Sequence, residues 1–262
     1  MQFIGALALS TVALGLFAAG NAAAAEGSAL GLSAGFTTDG VSTTLGPVNA
    51  VDNGAGRTYD KAKNIGSYSR QLVLTANGGS PPPTLTVDTM AEKSRVKGGF
   101  GVDIDFASGT ASVSSINLKL APYTPPNSDV VAAPYLQITA TKVSEAASYN
   151  LVAIVPSRTA VSATGTIDTL TITGPLVGGK TLKYSGSPKE STVLYQSPTV
   201  TITLNQKITT ALISCMPKCV FTPYSVNATG IDVTLNNAKL GKHTVSGDIF
   251  IASGAGGRTS VH

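Results

Sequence analysis

Apolar and polar side chains alternate one by one along most of this chain, and a period of two belongs to extended backbone, whose successive side chains point to opposite faces. Leu85 and Val87 stand among Thr84, Thr86 and Asp88, and Ile116, Leu118 and Leu120 enclose Asn117 and Lys119. Val102, Ile104 and Phe106 alternate with Asp103 and Asp105. The same pattern returns at Leu136 and Ile138, Leu170 and Ile172, Val200 to Leu204, and Ile231 to Leu235. Each run predicts a strand with one buried and one wet face. Asp248 to Ala252 is more continuously apolar and predicts a strand covered on both sides.

The punctuation between these runs agrees. Gly78-Gly79, Gly98-Gly99, Gly178-Gly179 and Asn236-Asn237 are turn chemistries. Pro81 to Pro83, and Pro122 with Pro125 and Pro126, favour extended connections at strand entrances. Helical periodicity is weak after Ala25; Lys142 to Asn150 fits a strand as well as a short helix, and the polar, Gly-rich stretch from Asp39 to Arg70 predicts long loops. Many half-wet strands need a second layer, so the predicted fold is all-β, a two-layer antiparallel β-sandwich with long loops. A β-solenoid is the alternative, and it calls for a fixed-period repeat that this sequence does not show.

The first 25 residues hold no Asp, Glu, Lys or Arg, and an apolar run from Phe3 to Ala19 ends in Ala22 to Ala25. That is the pattern of a signal peptide helix with a small-residue cleavage site before Glu26. The expected organisation is residues 1–25 as signal peptide, 26–254 as one β domain and 255–262 as a flexible tail, with no membrane span retained after cleavage. Charged residues make up 12% of the chain, Trp is absent and the net charge of +4 is spread thinly, which excludes a nucleic-acid footprint. A weak attraction to anionic cell-surface polymers is compatible with that charge.

In the oxidising compartment that such a leader implies, Cys215 and Cys219, with Pro217 between them, predict a small disulfide loop worth roughly 2 kcal/mol. Their spacing is neither a Cys-x-x-Cys redox motif nor a zinc site.

Catalytic machinery is sparse. Two histidines are present, His243 in a Gly-Lys-His-Thr turn and the terminal His262, so His243 reads as a solvated turn residue rather than a catalytic base. Asp103 and Asp105 share one face of a predicted strand and are a cation candidate, although a solvated face explains them as well and no calcium-loop pattern surrounds them. Gly98 to Gly101 reads as a tight turn, since no Gly-Lys-Ser/Thr follows it. Asn227-Ala-Thr229 matches a glycosylation sequon and otherwise reads as strand polarity. Tyr123, Tyr184 and Tyr224 near prolines or glycines are candidate ligand-facing residues if exposed, and core if buried. No catalytic residue, cofactor or metal is expected.

Several segments carry a family resemblance in their order: Ala29 to Ala34, Pro134 to Ala140 followed by Val143, Ile167 to Gly174, Val200 to Gln206, Ser225 to Leu235 and Gly247 to Gly254. In that order the chain resembles the bacterial secreted proteins called choice-of-anchor P. The resemblance implies an extracellular domain without transferable catalytic residues. After Gly254 no sorting motif or apolar tail follows, so a released, periplasmic or contact-held protein is expected rather than an anchored one. Its expected role is a secreted or cell-envelope structural or interaction protein without catalytic activity, its partner an envelope polymer, a glycan or another surface protein. The alternatives are a carbohydrate-binding module, a secreted hydrolase and a filament subunit.

Overall fold

The computed structural model describes residues 25–52, 58–77, 80–100, 104–125, 128, 132–152, 158–215 and 219–258. The leader, Asp103 and the terminal His262 lie outside them. Among the described residues thirteen strands follow one another: β1 (Ala25–Thr38), β2 (Val41–Val48), β3 (Val51–Asp52), β4 (Thr58–Val73), β5 (Thr84–Phe100), β6 (Ile104–Ala121), β7 (Leu136–Val152), β8 (Arg158–Thr173), β9 (Leu182–Gly186), β10 (Thr192–Gln196), β11 (Val200–Cys215), β12 (Cys219–Leu240) and β13 (His243–Arg258). One short 3-10 turn, Pro175–Val177, is the only helical element among the described residues.

The strands form two antiparallel sheets that pack face to face, an all-β sandwich as the alternation predicts. Sheet I runs β10-β11-β12-β13-β1-β2, with β3 also on β1; sheet II runs β4-β5-β6-β7-β8-β9. Nearly every neighbour in a sheet is a neighbour in sequence. The exceptions are β3, which pairs with β1, and β13, which returns to pair with β1 from Ala25↔Arg258 to Thr38↔Val245 and so brings the first and last described strands together. The chain crosses between sheets at β3–β4 and again at β9–β10.

Three expectations change. The stretch from Asp39 to Arg70 is largely β2, β3 and β4 rather than long loops; β4 is an edge strand, wet on most of its length, so it carries no apolar alternation to read. Gly98 and Gly99 lie inside β5, and Asn236 and Asn237 inside β12 where its register shifts, instead of in turns. Residues 255–258 continue β13, so the ordered domain extends past Gly254.

A crease crosses both sheets at one level. In β6 the inward residues are Ala107, Ala111 and Val113 on one side of it and Ile116, Leu118 and Leu120 on the other, so one extra residue reverses the phase. The same reversal separates Glu92 from Val87 in β5, Val143 from Ala140 in β7, Ala228 from Ile231 in β12 and Ala29 from Leu32 in β1. Neighbouring strands place it in register, which lets the ladders resume beyond it. Four crease residues have left-handed backbone without being glycine: Ala91, Lys142, Asn205 and Ala252, at φ 46 to 56°. The crease resembles a bulge shared by every central strand.

The crease divides the core into two unlike halves. On one side Leu32, Phe36, Leu85, Leu118, Ile138, Ile172, Ile202 and Val233 fill a sandwich of ordinary thickness. On the other a separate cluster of small residues, Ala147, Ala163 and Ala228 with Val226, faces inward, and at several points glycines replace side chains between the sheets. A Cβ on Gly109 would lie 1.9 Å from the Ser28 carbonyl oxygen, and one on Gly254 would lie 2.2 Å from that of Gly109. The sheets here meet main chain to main chain. Where a glycine leaves a gap within a sheet, an aromatic ring from the next strand covers it: Tyr59 lies over Gly98 and Phe106 over Gly99.

Candidate functional site

The outer face of sheet II is built of short polar side chains arranged in rows. Because β4 to β8 are paired without slippage on each side of the crease, side chains on successive strands line up at right angles to the chain direction. One row reads Asn64, Lys93, Ser112, Ser144, Thr166. The next reads Ala62, Arg95, Thr110, Ala146, Thr164. Across the crease, Ser67, Met90, Ser115, Thr141 and Thr169 continue the array. Hydroxyls facing each other on β7 and β8 are hydrogen-bonded: Ser144 to Thr166 at 2.6 Å, Thr141 to Thr169 at 2.7 Å and Ser148 to Ser162 at 2.7 Å. These contacts hold the side chains down and keep the floor smooth.

The first two rows lie in an open groove of about 530 Å³ that spans all five strands. At the ~4.8 Å spacing of paired strands it is roughly 19 Å across. Its lining combines hydroxyls, the Asn64 amide, two cations and three alanines, together with Glu145, whose side chain is buried, and no aromatic residue takes part. The cations differ in state. Arg95 donates to both carboxylate oxygens of Asp60, at 2.7 and 2.5 Å, and Lys97 approaches the same group at 3.5 Å. The Arg95 hydrogen bonds, then its charge and that of Lys97, hold the Asp60 carboxyl below its usual range. Lys93 is exposed and has no ion-pair partner among the described residues.

A second, smaller crevice of about 190 Å³ opens beside β1, the β2–β3 connection and the β12–β13 pair. Its walls are mostly apolar, with Leu30, Pro47 and Val51, and the hydrogen-bonded hydroxyls of Thr229 and Ser253 (3.0 Å) stand at its side.

His243 corrects its sequence reading. It is 4% exposed, not a solvated turn residue. Its Nδ1 lies 2.6 Å from Asp39 Oδ2 and its Nε2 3.1 Å from the Pro81 carbonyl oxygen, while the Thr244 amide donates to Asp39 Oδ1 at 2.9 Å. The Thr244 amide and the imidazole hold the Asp39 carboxyl below its usual range. The ring therefore ties the start of β13 and the β1–β2 turn of sheet I to the segment entering β5 of sheet II. With both nitrogens engaged, it has none to offer a nucleophile.

Asp105 is likewise corrected. It points inward, 4% exposed and hydrogen-bonded or otherwise engaged, while Phe106 is 41% exposed, because the crease reverses the phase assumed for β6. Tyr184 packs against the core and Tyr123 is exposed beyond the end of β6, so these two do not form a shared platform; the side chain of Tyr224 lies outside the described ones. Asn227 sits mid-strand in β12, half-buried, at the crevice. Cys215 and Cys219 face each other across the β11–β12 hairpin by Cα register, and their side chains too lie outside the described ones.

Sequence reasoning missed the buried acids. Glu92 and Glu145 point into the sandwich beside the crease, each 1% exposed. Glu92 accepts from the Thr89 hydroxyl at 2.5 Å, and the space its carboxyl occupies exists because Gly31 has no side chain. Glu145 lies over Gly165, and burial, only partly offset by a hydrogen bond from the Ala146 amide, pushes its pKa up to about 8. Asp232 and Asp248 occupy diagonal positions on β12 and β13, away from the main core, and are 4% and 7% exposed. Burial, with the neighbouring Asp248 charge, raises Asp232 to about 7. Neither lines the groove or the crevice. No signal in the sequence marks the two glutamates, because the glycines that make room for them, Gly31 for Glu92 and Gly165 for Glu145, are distant in the chain.

Among the described residues no group of three or more His, Cys, Asp or Glu side chains is arranged to hold a metal ion, and no helix is long and apolar enough to cross a membrane. A scan against models of known protein families finds no match, and neither does a search of curated proteins.

Proposed function

We propose that this chain is an exported, non-catalytic interaction protein of the cell envelope or its surroundings, and that the outer face of sheet II is its working surface. The observation that carries this reading is the groove spanning five strands, whose hydroxyls, amide and cations are held in register on a rigid sheet. Function on such a face is recognition of a surface by repeated weak contacts rather than bond chemistry. The engaged ring of His243 and the scattered acids favour the same reading over a hydrolase. The leader and the resemblance to choice-of-anchor P proteins support export. Cys215 opposite Cys219 favours a disulfide closing the β11–β12 hairpin in that compartment.

Two measurements test it. Cell fractionation with N-terminal sequencing is expected to find a processed chain outside the cytoplasm, and an intact, cytoplasmic chain would refute export. Co-sedimentation of the mature chain with isolated envelope polymer is expected to fall when Thr164→Trp fills the groove; binding unaffected by that change would remove the face from the function.

A further inference from the structure

We infer that the groove takes an extended, hydroxyl-rich polymer bearing sparse carboxylates, a uronate-type polysaccharide, and that Lys93 is the residue that reads the carboxylate. This rests on the reading of sheet II as the working face.

Direction comes first. A chain laid along the row Asn64, Lys93, Ser112, Ser144, Thr166 meets one polar side chain every ~4.8 Å without leaving the groove. Serine and threonine hydroxyls both donate and accept, as does the asparagine amide, so the row matches a ligand whose own groups are hydroxyls with either role. A peptide strand would instead seek the open edge of a sheet, where main-chain groups are free. A single-stranded nucleic acid would need aromatic platforms and a track of cations, and the groove lining has neither.

Charge narrows the class further. Of the three outward cations on β5, Arg95 and Lys97 are committed to Asp60, leaving Lys93 between the Asn64 amide and the Ser112 hydroxyl. One available ammonium among neutral groups suits a polymer with widely spaced charges and offers little to a densely charged one. Without aromatic stacking each sugar contributes weakly, so affinity accumulates by repetition and rises with chain length.

The test uses the mature chain in affinity electrophoresis and calorimetry at low salt. The probes are polygalacturonate, short oligogalacturonate, fully methyl-esterified polygalacturonate and inorganic polyphosphate. Expected are binding to polygalacturonate, weaker binding to the oligomer, and a loss of about tenfold for Lys93→Gln, the scale of one charge-assisted contact. Lys180→Gln, in the exposed turn after the 3-10 segment, leaves affinity unchanged. Equal affinity of Lys93→Gln and the parent, or polyphosphate binding as tightly as polygalacturonate, overturns the proposal. If the ester binds as well as the acid and Thr164→Trp abolishes both, the carboxylate reading fails and the working face stands. If no polymer binds and Thr164→Trp leaves envelope co-sedimentation intact, both fail together.

Discussion

Replacing Gly109 by alanine adds one methyl group at the point where the sheets touch. That methyl carbon would be 1.9 Å from the Ser28 carbonyl oxygen and 2.7 Å from both the amide nitrogen and the carbonyl oxygen of Ala255. Carbon and carbonyl oxygen normally come no nearer than ~3.3 Å, even in favourable C–H···O contacts. The obstacles are main-chain atoms on two paired strands, so no rotamer change relieves the clash and the sheets must part by more than ~1 Å. Overpacking typically costs 1–3 kcal/mol when side chains can yield. With a rigid obstacle and the small-residue layer opened around it, about 3–5 kcal/mol is expected. At ~2–4 °C per kcal/mol for a chain of this size, thermal unfolding should move down by roughly 10 °C. Urea unfolding followed by circular dichroism measures it, with Gly66→Ala as control, since nothing lies within 4 Å of that methyl position on β4. Gly254→Ala should cost a similar amount, but the double variant less than the sum, because both methyls enter one gap. A Gly109→Ala protein within ~0.5 kcal/mol of the parent would refute main-chain contact between the sheets.

Glu145 gives a pH signature. Its folded pKa of about 8 stands above the ordinary 4.5, so its contribution to stability is complete below pH 4.5 and is lost as pH rises through 8. Glu145→Gln should therefore match the parent near pH 4.5 and exceed it near pH 8, by on the order of a few kcal/mol in urea unfolding; parallel pH profiles would contradict this. His243→Ala leaves Asp39 Oδ2 and the Pro81 carbonyl without their partner and should cost about 2–3 kcal/mol, with faster amide exchange in the segment entering β5; unchanged exchange there would show that the ring is not a tie between sheets. Ala91→Gly should be neutral or up to ~1 kcal/mol stabilising, since its φ of 48° suits glycine; the usual strand penalty for glycine would argue against the crease.

The alternation of Thr and Asp with Leu, Val and Ile determined by itself that this chain forms strands with one wet face, because extended backbone presents side chains with period two whatever lies around it. With no fixed-period repeat to support a solenoid, that favours a sandwich, and the hydroxyls at Thr139, Thr141, Thr169 and Thr171 are legible as its outer face. The crease was not. Its trace is the three-residue step from Val113 to Ile116, which in one dimension is indistinguishable from a loop, and ignoring it turned Asp105 outward and Phe106 inward. The rows of the groove depend on register between strands as distant in sequence as β4 and β8, and the contact of Gly109 with Ser28 joins positions in different sheets. His243 meets Asp39 only because β13 returns to β1. Short-range patterning fixes which way a side chain points along its own strand; which side chains meet is set by packing of the whole chain, and there the groove, the buried acids and the imidazole tie were decided.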